Sequence, residues 1–294
     1  MQPRRGLDGA RIHMPFIVRR FPTNEVANMN SAEPPRKGPE SLPTLPGFRA
    51  WLFGMIGVTL VFALQPLYPT YIGPLSNVLP TACATTAFLS SFVCMKRYGF
   101  GLRLNFEAVW FLFTLGMGLW AVAEGTWAFY YFVLKVAVPY PSLADIFYIA
   151  GYLPIIAGLL GYLDTFHEAL TRRRLGLALV FIGIAVALAL SFVLPIELAQ
   201  KHTISAFLTD MTYPVLDLVL LSLTVLSLAI FAGGTIAKWW VLFGIASALY
   251  VIGDEFFLYQ VAQGSYYNGS VDDLIFLLGY LTFALAFYVH RKEF

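Results

Sequence analysis

Eight runs in this chain are long and apolar enough to cross a hydrocarbon core, at about 48–68, 73–95, 107–134, 142–163, 175–196, 208–231, 238–261 and 270–289. A helix needs roughly 20 apolar residues for that task. With 59% hydrophobic and 12% charged residues, the chain cannot cover itself with polar surface in water. The expected fold is an all-α polytopic membrane protein of eight transmembrane helices, arranged as two parallel four-helix repeats.

The basic residues orient these helices. Arg4, Arg5, Arg11, Arg19, Arg20, Arg36, Lys37 and Arg49 precede the first span. Lys96, Arg97 and Arg103 follow the second, Arg172–Arg174 the fourth, Lys238 the sixth, and Arg291 and Lys292 the eighth. Only Lys135 and Lys201 fall on the opposite side. The positive-inside rule then puts both termini in the cytoplasm, with the loops near Tyr68, Tyr140, Lys201 and Tyr267 facing outward from a cell membrane. The net charge of +2 hides this asymmetry, which suits anionic membrane lipid rather than nucleic acid. Residues 1–47 are too polar to bury a core and read as a disordered basic tail. The first apolar run is expected to stay as an anchor.

The repeat is visible in one stretch. Pro141-Ser-Leu-Ala-Asp-Ile-Phe-Tyr-Ile-Ala-Gly-Tyr152 returns as Gly269-Ser-Val-Asp-Asp-Leu-Ile-Phe-Leu-Leu-Gly-Tyr280, with serine, aspartate, glycine and tyrosine in register. Trp110, Trp120, Glu124 and Trp127 in the third span likewise match Trp240, Tyr250, Asp254 and Phe257 in the seventh. Leu75-Ser-Asn77 and Pro80 lie against Leu208-Thr-Asp210 and Pro214, with Tyr213 as an extra residue, and the first and fifth spans match only in hydrophobicity. The units are 48–165 and 174–290. An even number of spans per unit makes the repeat parallel, about an axis along the membrane normal, so equivalent residues should face each other at equal depth.

Candidate site residues follow from the cost of polar groups in lipid. An acid in mid-span costs about 2.5–3.5 kcal/mol on insertion scales and should face the bundle interior with a partner. Glu124 and Asp254 are such acids at equivalent positions, expected close enough to interact across the axis. Helical spacing puts Trp120, Trp127 and Tyr131 on the face of Glu124, and Tyr250 on that of Asp254. The plainer role for both acids is a structural hydrogen bond between helices. Asp210 and Asp217 share a face of the sixth span around Pro214, whose ring frees the carbonyl of Asp210, as Pro80 frees that of Ser76; the plainer reading is a proline kink. Asp145 and Asp273 lie three residues after Ser142 and Ser270, the spacing of a capping box. Tyr152 and Tyr280 complete the ligand-binding candidates, and Gly151 and Gly279 beside them permit close helix approach. Asp272, Glu255 and Tyr148 are candidates for an outer vestibule.

Absences narrow the chemistry. His13, His167, His202 and His290 all fall in tails or loops, so no histidine pair is placed to hold a haem inside the bundle. No lysine lies mid-helix for a retinal Schiff base, and no zinc-ligand spacing, phosphate loop or nucleophile elbow is present. Cys83 and Cys94 lie too far apart along one helix to pair. No cofactor or metal is expected.

Pro-Ser-Leu-Ala-Asp145, Tyr213-Pro-Val-Leu-Asp217-Leu, Gly253-Asp254 through Tyr259, and Gly269-Ser through Asp273 carry a family resemblance. Over about residues 107–290 the chain resembles the multi-span amino-terminal membrane sensory region of some bacterial diguanylate cyclases and phosphodiesterases. The resemblance implies a sensory input module. No cyclase domain follows the last helix in this sequence, so output is expected through a cytoplasmic or membrane partner protein at the ends of the fourth and eighth helices. The leading expectation is a sensor that binds a small ligand in an outward-facing acidic and aromatic cavity. A carrier or channel for a cation, amine or proton is the second, and an intramembrane lipid hydrolase using paired carboxylates the third, so enzymatic activity stays open.

Overall fold

A computed structural model of the protein describes residues 42–99, 106–199, 203–231 and 237–293. Most of the tail expected to be disordered (1–41), together with Arg103, Lys201 and His202, lies outside these residues. The remainder of that tail corrects the expected boundary, because a 3₁₀ turn at Leu42–Thr44 and buried Leu45 lead directly into the first helix.

Eight α-helices follow in order: α1 Pro46–Ala63, α2 Pro69–Tyr98, α3 Phe106–Phe129, α4 Leu143–Phe166, α5 Arg172–Ala199, α6 Ile204–Phe231, α7 Ala237–Ala262 and α8 Val271–Glu293. All eight are long and apolar enough to cross a membrane, and no strand occurs among the described residues. The protein is a multi-pass, all-α membrane protein. α3 runs on through a π-helical turn, Tyr130–Leu134, which ends where Lys135 takes a left-handed conformation with φ 53°.

Six helices close a ring. α2 packs on α3, α3 on α4, α4 on α6, α6 on α7, α7 on α8, and α8 back on α2. Exchanging α2, α3 and α4 for α6, α7 and α8 maps this set of pairings onto itself. The other two helices are peripheral: only 6% of the span of α1 and 11% of that of α5 is buried within the protein. They also sit differently, α1 against α8 and α5 against α6, and these are the two helices whose sequences match least.

α3 and α7 face each other across the middle of the ring through aromatic side chains. Phe113 meets Phe243 with centroids 5.6 Å apart, Trp120 stacks on Tyr250 at 4.3 Å and 4°, and Trp127 meets Phe257 edge-on at 6.2 Å. Each pair joins positions 130 residues apart, and successive pairs are seven apart, the heptad spacing that keeps one helix seam facing its partner. Below the Trp120–Tyr250 stack the core is filled by Trp110, Trp239, Trp240, Phe243, Phe283 and Phe287, all fully buried.

His290 belongs to this core. It lies in the last turns of α8, 1% exposed, with its ring 4.1 Å from that of Trp110 and its Nε2 2.6 Å from the Tyr98 hydroxyl. Its expected place in a tail is therefore corrected: α8 runs past the apolar stretch, and α2 and α3 cover its end.

Close approach of α3 and α4 depends on glycine. A Cβ added at Gly151 would strike the Trp120 indole, and one at Gly116 would come within 2.8 Å of the Gly151 carbonyl. Gly279 is looser, its added Cβ meeting Tyr250 at 3.3 Å.

Candidate functional site

The cavity opens at the end of the bundle where α3 leads to α4 and α7 to α8. Its free volume is about 90 Å³, and it widens into a vestibule of about 610 Å³. Six carboxylates line the inner cavity: Glu124, Asp145, Asp210, Asp254, Glu255 and Asp273. Tyr140, Tyr148, Tyr152, Tyr213, Tyr250 and Tyr266, with Trp127, Phe257 and Phe276, supply the aromatic wall. No lysine, arginine or histidine is among the described lining residues of the inner cavity, and Lys135 is the basic residue that lines the vestibule.

The acids are held by tyrosine hydroxyls. Near the mouth, Tyr213 donates to Asp145 Oδ1 at 2.9 Å, Tyr140 donates to Asp210 Oδ1, and Tyr266 donates to Asp273 Oδ1 at 3.4 Å. About 15 Å in from Leu134, at 1.5 Å per residue, Tyr280 donates to Glu124 Oε1 at 2.9 Å and accepts from the Tyr250 hydroxyl. The Tyr148 hydroxyl lies against the same carboxylate. On the other side of the ring, the Tyr152 hydroxyl sits 2.6 Å from Asp217 Oδ1 and 2.9 Å from Asp254 Oδ2.

Two of the three helices behind these deep centres correspond by sequence. Glu124 on α3 and Tyr280 on α8 stand where Asp254 on α7 and Tyr152 on α4 stand. The third member differs: three residues beyond Pro80 is Cys83, within electrostatic reach of Glu124, whereas three beyond Pro214 is Asp217, bonded to Tyr152. Pro80 and Pro214 both line the cavity, with Ser76 and Asp210, the residues four earlier whose carbonyls a helix proline releases.

Of the residues expected at the site, Glu124, Trp127, Asp145, Asp210, Tyr152, Tyr250, Asp254 and Asp273 line the cavity. Asp217 and Tyr280 stand behind it, each bonded to a lining residue, and Trp120 forms its floor with Tyr250. Tyr131 lies further out, in the vestibule beside Gly73 of α2. Glu124 and Asp254 share the cavity, but each hydrogen-bonds its own tyrosine, and the carboxyl group within hydrogen-bonding reach of Asp254 is that of Asp217.

The two predicted caps differ. At α4 the capping box is complete: Asp145 Oδ2 accepts from the Ser142 N–H at 2.6 Å, and Ser142 Oγ accepts from Ala144 N–H at 3.1 Å. At α8, Asp273 accepts instead from the N–H of Gly269 at 2.6 Å, and Ser270 Oγ turns to Asp272. Gly269 holds φ at +107°, which only glycine adopts readily and which aims its N–H at the helix. Asp272, expected as a vestibule acid, is fully buried and also accepts from Gln260 Nε2 at 2.6 Å.

Tyr140, Tyr213 and Tyr266 were not read as site residues from the sequence. Their position one, three and seven residues from Pro141, Asp210 and Asp273 is the only local signal they carry. Comparison of the chain with protein-family models, curated proteins and solved structures finds no match. The fold and the cavity therefore define the class directly: a multi-pass helical membrane protein with an acidic, tyrosine-braced pocket inside its bundle.

Proposed function

We propose that the protein is a receptor-like sensor module of the cell membrane that binds a small organic cation from the outer side and acts through a partner protein. One observation carries this reading: six carboxylates converge on a cavity with aromatic walls and no basic residue among its described lining residues. Buried carboxylates need positive charge or protons, and aromatic faces attract a desolvated ammonium by about 2 kcal/mol or more. An ammonium head fits both demands.

The orientation is supported by the basic residues described above, which gather at the end of the bundle opposite the cavity mouth. A sensing role is supported by the packed aromatic floor, since Trp120, Tyr250, Trp110, Trp239 and Phe283 fill the bundle below the site. It also agrees with the resemblance to membrane sensory regions. A signal requires two helix arrangements with different affinities for the ligand, and the glycine contact between α3 and α4 next to Trp120 is the proposed pivot.

The test uses the full chain in liposomes with tetramethylammonium as the probe and its neutral, equally shaped carbon analogue neopentane as the control. Saturable binding of the cation without its transfer into the lumen is expected. Saturable uptake abolished by Glu124→Gln with Asp254→Asn would replace the sensor with a carrier. Equal binding of neopentane would remove the cation reading.

A further inference from the structure

The hydrogen-bond inventory of the deep centres is unequal. Tyr280 has one hydroxyl proton and spends it on Glu124, while its oxygen accepts from Tyr250. Every contact there is supplied. Tyr152 also has one hydroxyl proton, yet its oxygen lies within bonding distance of two carboxylates, Asp217 and Asp254. A hydroxyl can donate once. A further proton on one of the carboxyls gives the second oxygen–oxygen contact its own hydrogen bond.

An independent observation points to the same place. Asp217 is 1% exposed, and its Oδ2 has no hydrogen-bond partner among the described residues. A buried, unsatisfied carboxylate oxygen is costly, and Asp217 lies within bonding reach of Asp254. Two ionised carboxylates so placed would repel in a low dielectric. One proton between them removes the repulsion and satisfies the surplus contact.

We infer that Asp217, Tyr152 and Asp254 form an internal proton site that exchanges its proton for the cationic ligand. Without ligand the two carboxyls hold one proton and carry one negative charge. A cation entering beside Asp254, which lines the cavity, meets two ionised carboxylates as the proton leaves through the mouth to water. The local charge is the same before and after, so the exchange does not bury a new charge. This step rests on the cation reading of the cavity, whereas the proton itself does not.

The groups facing the pair fit this exchange. α3 contributes Glu124; α4 contributes Tyr152; α6 itself adds Tyr213; α7 adds Tyr250 and Glu255; and α8 contributes Tyr280 through Tyr250. α5, packed on α6, has no titratable residue between 175 and 196. The bases among these are the carboxylates Glu124 and Glu255, which line the same cavity, and the exchange takes the proton past them to solvent. Protons then compete with the cation, and affinity falls by about tenfold for each unit of pH lowered below the titration of the site.

Infrared spectra of the purified full chain at neutral pH, with no ligand added, test the proton. The carbonyl band of a protonated carboxylic acid is expected in the wild type, reduced by one carboxyl in both Asp217→Asn and Asp254→Asn. If one variant fails to fold, the other reads the same quantity. A band that is missing from the wild type, or unchanged in the variants, overturns the inference. Titration with tetramethylammonium in weakly buffered solution with a pH indicator tests the exchange. Release of about one proton per cation bound is expected, and binding without release overturns it. A band with no tetramethylammonium binding at any pH leaves the proton site standing and overturns the cation reading instead.

Discussion

The two deep centres occupy corresponding places in the bundle, and the difference that changes their charge is one side chain, Cys83 on α2 against Asp217 on α6. Around Tyr280, α2 offers Cys83, and the tyrosine serves a single acid, Glu124. Around Tyr152, α6 offers Asp217, and the tyrosine lies between two acids. The difference separates scaffold from chemistry. Tyrosine-to-carboxylate bonding between helices is common to both centres; the second carboxyl is special to one. Two corresponding positions can thus share a tyrosine–carboxylate bond while one of them carries a second carboxyl.

Making the centres alike tests this account. Cys83→Asp would put a second acid beside Glu124 without a tyrosine hydroxyl to spare, and should cost about 3 kcal/mol, the scale of an acid in mid-span. Equilibrium unfolding in mixed micelles measures it, and a cost below about 1 kcal/mol would mean the two centres are interchangeable. Gly151→Ala drives a Cβ into the Trp120 indole and should cost about 2 kcal/mol by overpacking. Gly279→Ala, with its nearest neighbour at 3.3 Å, should cost less; equal losses would deny that α3–α4 is the tighter joint. Tyr152→Phe should cost about 2 kcal/mol because Asp217 loses its hydrogen bond, and Tyr280→Phe about 1 kcal/mol because Tyr148 still lies against Glu124. The reverse order would contradict the hydrogen-bond assignment. The smallest effect belongs to Asp217→Cys, where loss of one bond is offset by removal of an unpartnered buried oxygen, giving a change under about 1 kcal/mol.

The spans were legible in the sequence because crossing a membrane fixes length and apolarity together. The acids were legible too, since each stands out in an apolar helix. Tyr152 and Tyr280 stood out as well, but which acid each serves did not, nor did the tyrosines at the mouth. Tyrosine occurs 16 times in the chain, and nothing local distinguishes Tyr213, which read as an extra residue, from a tyrosine facing lipid. Its contact with Asp145 spans 68 residues and exists only once α4 and α6 pack. For the same reason Asp254 was matched to Glu124, which lies within electrostatic reach of it, and not to Asp217 on α6, whose carboxyl is nearer. Sequence correspondence finds equivalent positions, but adjacency depends on the order of helices around the ring. His290 and the cap of α8 show a smaller limit. The apolar run ends before the helix does, and the φ of Gly269 redirects a bond that spacing alone assigns to Ser270.

The central claim is that the carboxylates of the cavity bind a cation. Calorimetric titration of tetramethylammonium into the purified full chain compares the wild type with Glu124→Gln combined with Asp254→Asn, both checked for native helix content. Saturable binding to the wild type, weakened at least about a hundredfold in the double variant, a loss of roughly 2.7 kcal/mol, is the predicted result. Equal binding to both proteins would contradict it.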